Sequence, residues 1–519
     1  MATKTPLKPP RDLELRSATV QTVAINTIEV PCDPRDPDYS RWFDTSQGAH
    51  PVHPGNQVTA LIEGAETFAV MVAAMETANS TSHYIYLLNW FADLEFELSP
   101  GFQLTAGAKS TRLIDLLSNA VSKGVQVRAM FWDQPLRGNT SSVNKINDMH
   151  FPSSPAPAGA NGAAILDNNT LHFGSHHQKI LIVQGSNGLI TYCGGVDPNP
   201  DRISHIDGQT GTPLHDVHCE IQGAAAKDVL QIFLDRWTDH PDSAKHDSSK
   251  GALRGLATPT LGARGDQYVQ IGRTSPNGSN HRGIENSQGQ RFYSFAPHGE
   301  RTAKQMILHA IGQAQKFIYI EDQYLVDMDA SNKLRDQLPK IQRLIILIPH
   351  PDINDHPHIW HMCKRFVDNL GYGQNPKVAV CFKKPAGAVA DPAGVDVDQV
   401  GTYVHAKMFV MDDKFAIIGS ANCGTRSYTY DSEITAGIFD ESRDAPCTLH
   451  FAHSLRIRLW ADHLSLQPAD VFDPIGSAIF WFKPSLRARI ATFNQNANSD
   501  SMRAFKNWIP EGEAEPDGS

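Results

Sequence analysis

The feature that most constrains the fold is an order of elements that occurs twice. An apolar helical stretch, AETFAVMVAAMETA, leads to a strand-like HYIYLLNWF, a helix STRLIDLLSNAVSKG and a strand VQVRAMFW. Later the chain reads RTAKQMILHAIGQAQ, FIYIEDQYLV, NKLRDQLPK and RLIILIPHP in the same order. After a polar or Pro/Gly-rich insertion, each series reaches a His-x-Lys strand: His177 and Lys179 in SHHQKILIVQG, His405 and Lys407 in YVHAKMFVMDD. Tyr84 precedes His177 by 93 residues and Ile318 precedes His405 by 87. A strand ending in small residues follows each: LITYCGGVD, then FAIIGSAN. Strands alternating with helices in both copies predict an α/β fold of two duplicated halves, each a mixed sheet flanked by helices.

The expected organisation is an N-terminal extension over 1–56, a first half over 57–245, a connecting segment over 246–300, a second half over 301–470 and a C-terminal extension over 471–519. The connector is rich in Gly, Ser, Pro and Asn, with a short strand YVQIGRT inside it, and PEGEAEPDGS reads as a disordered acidic tail. The 519 residues, 40% hydrophobic, suffice for a large core. No run of about 18 apolar residues appears, so no spanning helix is expected. The start, MATKTPLKPPRDLELRS, lacks the apolar core of a secretory signal, so a cytoplasmic location, or export without a cleavable signal, is expected. Seven scattered cysteines without a CxxC pair suit reduced thiols. A net charge of −10 argues against a nucleic-acid partner.

Residues two apart on a strand share a face, so His177 and Lys179 point one way, as do His405 and Lys407. A neutral imidazole is a nucleophile and a protonated one a general acid, and a neighbouring lysine offers positive charge to an anionic oxygen. Two such pairs facing each other suit displacement at a phosphodiester without metal or other cofactor. Each histidine needs an acceptor on its other ring nitrogen; Asp216 in LHDVHCEIQG and Glu433 in SYTYDSEITAGIF are the candidates, against the alternative of surface acids or ion-pair partners. Gly194 and Gly195, and Gly419 and Ser420, would let backbone N–H groups approach a phosphate. Asp197 and Asn422 close those turns, Asp197 either beside the phosphate or capping the turn with Pro198 and Asn199. The histidines at 350, 356, 358 and 361 match no metal-site spacing. Residues 478–485, AIFWFKPS, read either as a buried edge or as a lipid contact, and Trp90 and Phe91 share that ambiguity.

His405-x-Lys407-x4-Asp412 followed by GSAN, Arg426-Ser427 and Glu433 resembles the signature of the phospholipase D superfamily. HHQK, GGVDPNPDR and HDVH resemble the matching element of the larger phospholipases D of bacterial and plant type, and FLDRW and LRIRLWADHL are similar to elements after the two motifs. The resemblance covers roughly residues 57 to 470. It implies a pseudo-twofold arrangement with one site at the interface and a covalent phosphohistidine. His177 would be the nucleophile and His405 the acid, with Lys179, Lys407 and Asn422 on the phosphate and Asp216 and Glu433 orienting the histidines. It further implies a phospholipid substrate met peripherally at a membrane surface by a monomer, released as phosphatidate and a head-group alcohol, with transfer to other alcohols as a side activity. Rival expectations are another diester such as nucleic acid, a retired scaffold, or a signal-less exported antibacterial lipase. With about 56 residues ahead of the first half, calcium dependence through a lipid-binding domain there is not expected. Loops at 133–170 and KKPAGAVADPAGVDVDQ would set head-group choice.

The copies differ five residues after each lysine, where Gln184 stands in one and Asp412 in the other. Both lie an odd number of residues past their histidine, so both are expected to point away from it. The turn after Gln184 reads as three residues longer, with Asn187-Gly188 as its tight pair. Gln184→Asp is therefore expected to leave turnover within about tenfold, a barrier change under about 1.4 kcal/mol, in a steady-state assay.

Overall fold

The computed structural model describes residues 39–133, 138–170, 174–203, 214–247, 253–256, 260–276, 293–349, 357–384, 402–440 and 451–492. The acidic tail, three stretches of the connector, the loop before Thr402, and His350 and His356 lie outside these. So does the side chain of His358.

The strands of the first half are β1 (Val52–Ile62), β2 (Tyr84–Asn89), β3 (Gln126–Trp132), β4 (Gly162–Asp167), β5 (Ile180–Gly185), β6 (Gly188–Gly194), β7 (Leu214–His215) and β8 (Val217–Gln222). Next come β9 (Gln267–Ser275), β10 (Glu300–Arg301), β11 (Phe317–Asp322), β12 (Arg343–Ile348), β13 (Val378–Lys383), β14 (Tyr403–Val404), β15 (Lys407–Met411), β16 (Phe415–Gly419), β17 (Glu433–Asp440) and β18 (Ile490–Thr492). One half runs β4-β3-β2-β5-β6-β8-β1 across the sheet, and the other β13-β12-β11-β15-β16-β17-β9. The two orders are the same, with β1 corresponding to β9. These two strands pair antiparallel and fuse the halves into one 16-stranded sheet, edged by β18. In each half the first three strands are parallel and the remainder antiparallel, the mixed sheet the duplicated pattern predicts.

Alternation along the strands builds the core. Tyr84, Tyr86 and Leu88 of β2, with Phe317 and Tyr319 of β11, face a cluster shared by both halves, covered by helices Ala226–Asp239 and Phe451–Leu464. Ile85 and Leu87 face a second cluster under helix Glu63–Thr77; Ile318 and Ile320 face a third under helix Thr302–Gln313. Helix Met328–Gln337 starts where Asp327 caps it, its carboxylate accepting the N–H of Ala330 at 2.8 Å. In the stretch 478–485 a short helix, Ile479–Phe482, buries Trp481 while Ile479 and Phe480 stay exposed. The described cysteines are buried and free of disulfides.

The structure corrects the turn after Gln184. β5 and β6 are joined by Ser186 and Asn187 alone, with Gly185 opposite Gly188. The connection from β15 to β16 is the longer one, through Asp412, Asp413 and Lys414. The extra residues of the first half lengthen its strands, and Gly188, at φ 91, follows the central pair rather than forming it.

Asp412 lies at the far end of β15 from Lys407. Its carboxylate accepts the N–H groups of Gln315, Lys316 and Phe317 at 2.7, 2.8 and 2.9 Å, anchoring the entry to β11. Gln184 is half-buried and reaches only the carbonyl of Gly185, at 3.3 Å. Asp412→Ala would strand the buried N–H of Phe317 and release the part-buried N–H groups of Gln315 and Lys316. It is expected to lower unfolding free energy by about 2–4 kcal/mol in denaturant titration, while any turnover by the folded protein stays within about tenfold.

Candidate active site

The two His-x-Lys motifs meet where the halves face each other. The rings of His177 and His405 have centroids 6.3 Å apart at an interplanar angle of 60°. Neither histidine lies within a strand, which corrects that expectation: β5 begins at Ile180, and His405 falls between β14 and β15. Both lysines fold back in the same way. Lys179 Nζ donates to the carbonyl of His177 at 2.8 Å, and Lys407 Nζ to that of His405. Both lysines are about 1% exposed, so their charge is spent inside the cleft.

The orienting acids cross over. Nδ1 of His177 lies 3.0 Å from Oε1 of Glu433, of the second half, and 3.1 Å from the carbonyl of Ser420. Nδ1 of His405 lies 2.7 Å from Oδ2 of Asp216, of the first half. The backbone repeats the exchange: His177 donates its N–H to the carbonyl of Ser432 at 3.0 Å, and His405 to that of His215 at 2.7 Å. Each histidine is thus gripped by two consecutive residues of the other half, the first through its carbonyl and the second through its carboxylate. With Nδ1 bonded to a carboxylate, Nε2 is left for chemistry.

Burial dominates the electrostatics. It holds both histidines well below the ordinary imidazole value, reinforced at His177 by Lys179 and Lys407 and at His405 by Lys407 and Arg202. Burial pushes Glu433 up to about 7 against the pull of Lys179, and Asp216 up to about 6 against Lys407 and Arg202. It pushes Lys407 down to about 7, opposed by Asp216. Neutral imidazoles beside buried cations make a cleft suited to an anion.

The remaining residues take other places than the sequence suggested. The N–H of Gly195 is used by the carbonyl of Val217 at 3.1 Å, and that of Ser420 by Ile434 at 2.8 Å, so these amides do not face a phosphate. The small residues serve close approach instead: a Cβ on Gly195 would fall 1.9 Å from Oδ1 of Asp216. Asp197 neither caps its turn with its side chain nor offers a donor to an anion. Its Oδ1 accepts from Asn89 at 3.3 Å and from the N–H of Trp90 at 3.2 Å, and its Oδ2 lies 3.4 Å from Lys179 and 3.7 Å from Arg202. That is the place of a counter-ion. Asn422 is 4% exposed, and its Oδ1 has no partner among the described residues. The loop carrying it is fixed by Asp322, whose carboxylate accepts the N–H of Cys423 at 2.9 Å. Sequence reasoning missed Gln323, which accepts from Lys407 at 2.8 Å, and it singled out Ser420 for its backbone, whereas the Ser420 hydroxyl donates to Glu433. Gln323 sits in the quoted IEDQ element, directly after the strand position that pairs with Lys407.

These features define a duplicated α/β protein with a single His/Lys site shared by its halves. A family model described as phospholipase D matches residues 201–348, and one described as cardiolipin synthase, PLD-like domain, matches residues 307–454. The chain belongs to the phospholipase D superfamily. Phospholipase D alpha 2 of Oryza sativa subsp. japonica is 23% identical over 77% of this chain and 64% of the rice protein. Phospholipase D alpha 1 of Cynara cardunculus is 24% identical over 75% of this chain and 63% of its own length. The chain therefore spans less than two thirds of these relatives. The structure of phosphatidylserine synthase from Haemophilus influenzae Rd KW20 shares the fold, with a TM-score of 0.52 at 13% identity, covering 87% of this chain and 92% of that one.

The buried acids carry a stability cost of known sign. The folded pKa of Glu433, about 7, lies above its ordinary 4.5, so its ionisation favours the unfolded chain and stability falls as pH rises through that window. Glu433→Gln keeps an acceptor for His177 and removes the charge. It is expected to gain about 2–3 kcal/mol at pH 8, and much less at pH 4, in denaturant titrations.

Proposed function

We propose that the protein is a phospholipid-cleaving phosphodiesterase working through a phosphohistidine. The observation that carries this reading is the pair of facing imidazoles, each tied through Nδ1 to a carboxylate of the opposite half, above two buried lysines. Nε2 of His177 attacks phosphorus. The P–O bond to the head group breaks with its electron pair on oxygen, and His405, which takes up a proton once the anionic phosphodiester offsets the lysines that keep it neutral, supplies that proton. Water, deprotonated by His405, then attacks phosphorus; the P–N bond breaks and phosphatidate leaves. Lys179, Lys407 and Asn422 bind the non-bridging oxygens, whose negative charge offsets the cost of two buried ammonium groups. The assignment of nucleophile and acid follows the family resemblance.

The net charge of −10 and the likeness to plant phospholipases D favour a lipid diester over nucleic acid. Both halves of the site lie in one chain, so a monomer suffices. Contact with the bilayer would be peripheral: among the described residues no helix is long and apolar enough to cross a membrane. A second reading is transfer of the phosphatidyl group to an alcohol, favoured by the match to the cardiolipin synthase family model. An alcohol captures a phosphohistidine as water does.

Head-group release from a panel of phospholipid vesicles, with and without a soluble alcohol, separates hydrolysis from transfer. His177→Ala and His405→Ala are each expected to lower release by about 10³-fold or more. Full release by either variant would refute the mechanism, and robust DNA cleavage without lipid turnover would refute the substrate.

A further inference from the structure

Glu321 occupies a place that the first half fills with an apolar residue. Leu88 pairs with Ile180, one residue after Lys179, and Glu321 pairs with Met408, one residue after Lys407. Glu321 is fully buried on the strand face of Phe317 and Tyr319. A carboxylate there is costly unless paired. Its Oε2 lies 2.6 Å from Nε2 of His215 and its Oε1 2.8 Å from Nε2 of His463, and the hydroxyl of Tyr319 donates to Oε1. The other ring nitrogen of His215 lies 2.6 Å from Oε1 of Glu63. Glu63 itself stands at φ 66, a left-handed backbone unusual for a non-glycine residue, and its N–H donates to the carbonyl of Asp216 at 2.9 Å. Nδ1 of His463 lies 3.3 Å from Nζ of Lys383.

His215 therefore has both ring nitrogens on carboxylates, one from each half. It is also the residue whose carbonyl receives the N–H of His405 and, at 3.1 Å, that of Ala406. The next residue along is Asp216. Burial and Lys383 oppose protonation of His215, but Glu321 and Glu63 raise its pKa to about 9, so it balances their charge as an imidazolium. The mirror position in the other half holds Ser432, whose hydroxyl meets Nδ1 of His176 at 2.5 Å, with His176 in turn 3.0 Å from Asp167. The support behind His177 is thus a hydroxyl, and the support behind His405 an ion sandwich.

We propose that His215 is a positioning residue for His405. Clamped between Glu63 and Glu321, it fixes the carbonyl and the adjacent Asp216 carboxylate that together hold the His405 ring. The effect on turnover rests on the phosphodiesterase reading; the effect on the ring does not.

The test uses the full chain. An Nδ1 proton bonded to a buried carboxylate resonates downfield of the amides, and the two resonances are assigned by their loss in His177→Gln and His405→Gln. In Glu63→Gln and His215→Gln the His405 resonance is expected to shift or broaden while that of His177 stays. Turnover of phosphatidylcholine vesicles should fall about tenfold or more in kcat with KM within about threefold. If His215→Gln does not fold, Glu63→Gln, at a half-buried position, carries the comparison. Folded variants with an unchanged His405 resonance and unchanged kcat would overturn the proposal. So would about one tightly bound transition metal per purified chain that is lost in His463→Gln, since the cluster would then be a metal site. A wild-type enzyme inactive on every lipid would defeat the functional reading but leave the resonance comparison to decide the positioning.

Discussion

Each site histidine is held by two consecutive residues of the opposite half. Ser432 and Glu433 hold His177, and His215 and Asp216 hold His405. Neither half alone can orient its own imidazole. The β1–β9 seam, the shared core cluster and the buried acids all serve to keep this exchange in register. Proper ring orientation therefore depends on correct docking of sequence segments more than two hundred residues apart, as in the His177–Glu433 pair.

The exchange has an electrostatic cost that the fold meets by pairing. Two lysines, several histidines and at least four carboxylates are sealed from water near the seam. The acids closest to the histidines remain poised near neutrality, whereas Glu321 is held well below the usual carboxylate range, because His215 and His463 outweigh its burial.

Much of the fold was legible because duplication turns a weak motif into a constraint. A single His-x-Lys carries no information, but two at matched places in a repeated helix–strand order fix the sheet pattern of both halves. The alternation argument also placed Asp412 away from the chemistry, where it anchors three backbone amides. It failed for the motif itself, since His177 and His405 lie just outside their strands and owe their directions to contacts across the seam. The small residues beside the site were legible as small, but their purpose was not: Gly195 makes room for Asp216 and has no amide to spare. Asp197 was visible as a polar residue near the turn, and only Lys179 and Arg202 beside it reveal a counter-ion.

The sequence by itself determined the two-half α/β architecture, the two His–Lys pairs and the acids that belong with them, because periodicity and repetition are local properties of a chain. Which acid serves which histidine was decided only by tertiary structure. Spacing along each copy is symmetric with respect to pairing within or across halves, and what breaks the tie is the parallel pairing of β7 with β14 and of His176 with Ser432, which lays each acid beside the other half's histidine. The same holds for Glu321. It stands in the strand-like run FIYIEDQYLV, and only the arrival of His215 and His463 from distant segments makes a buried charge there tolerable.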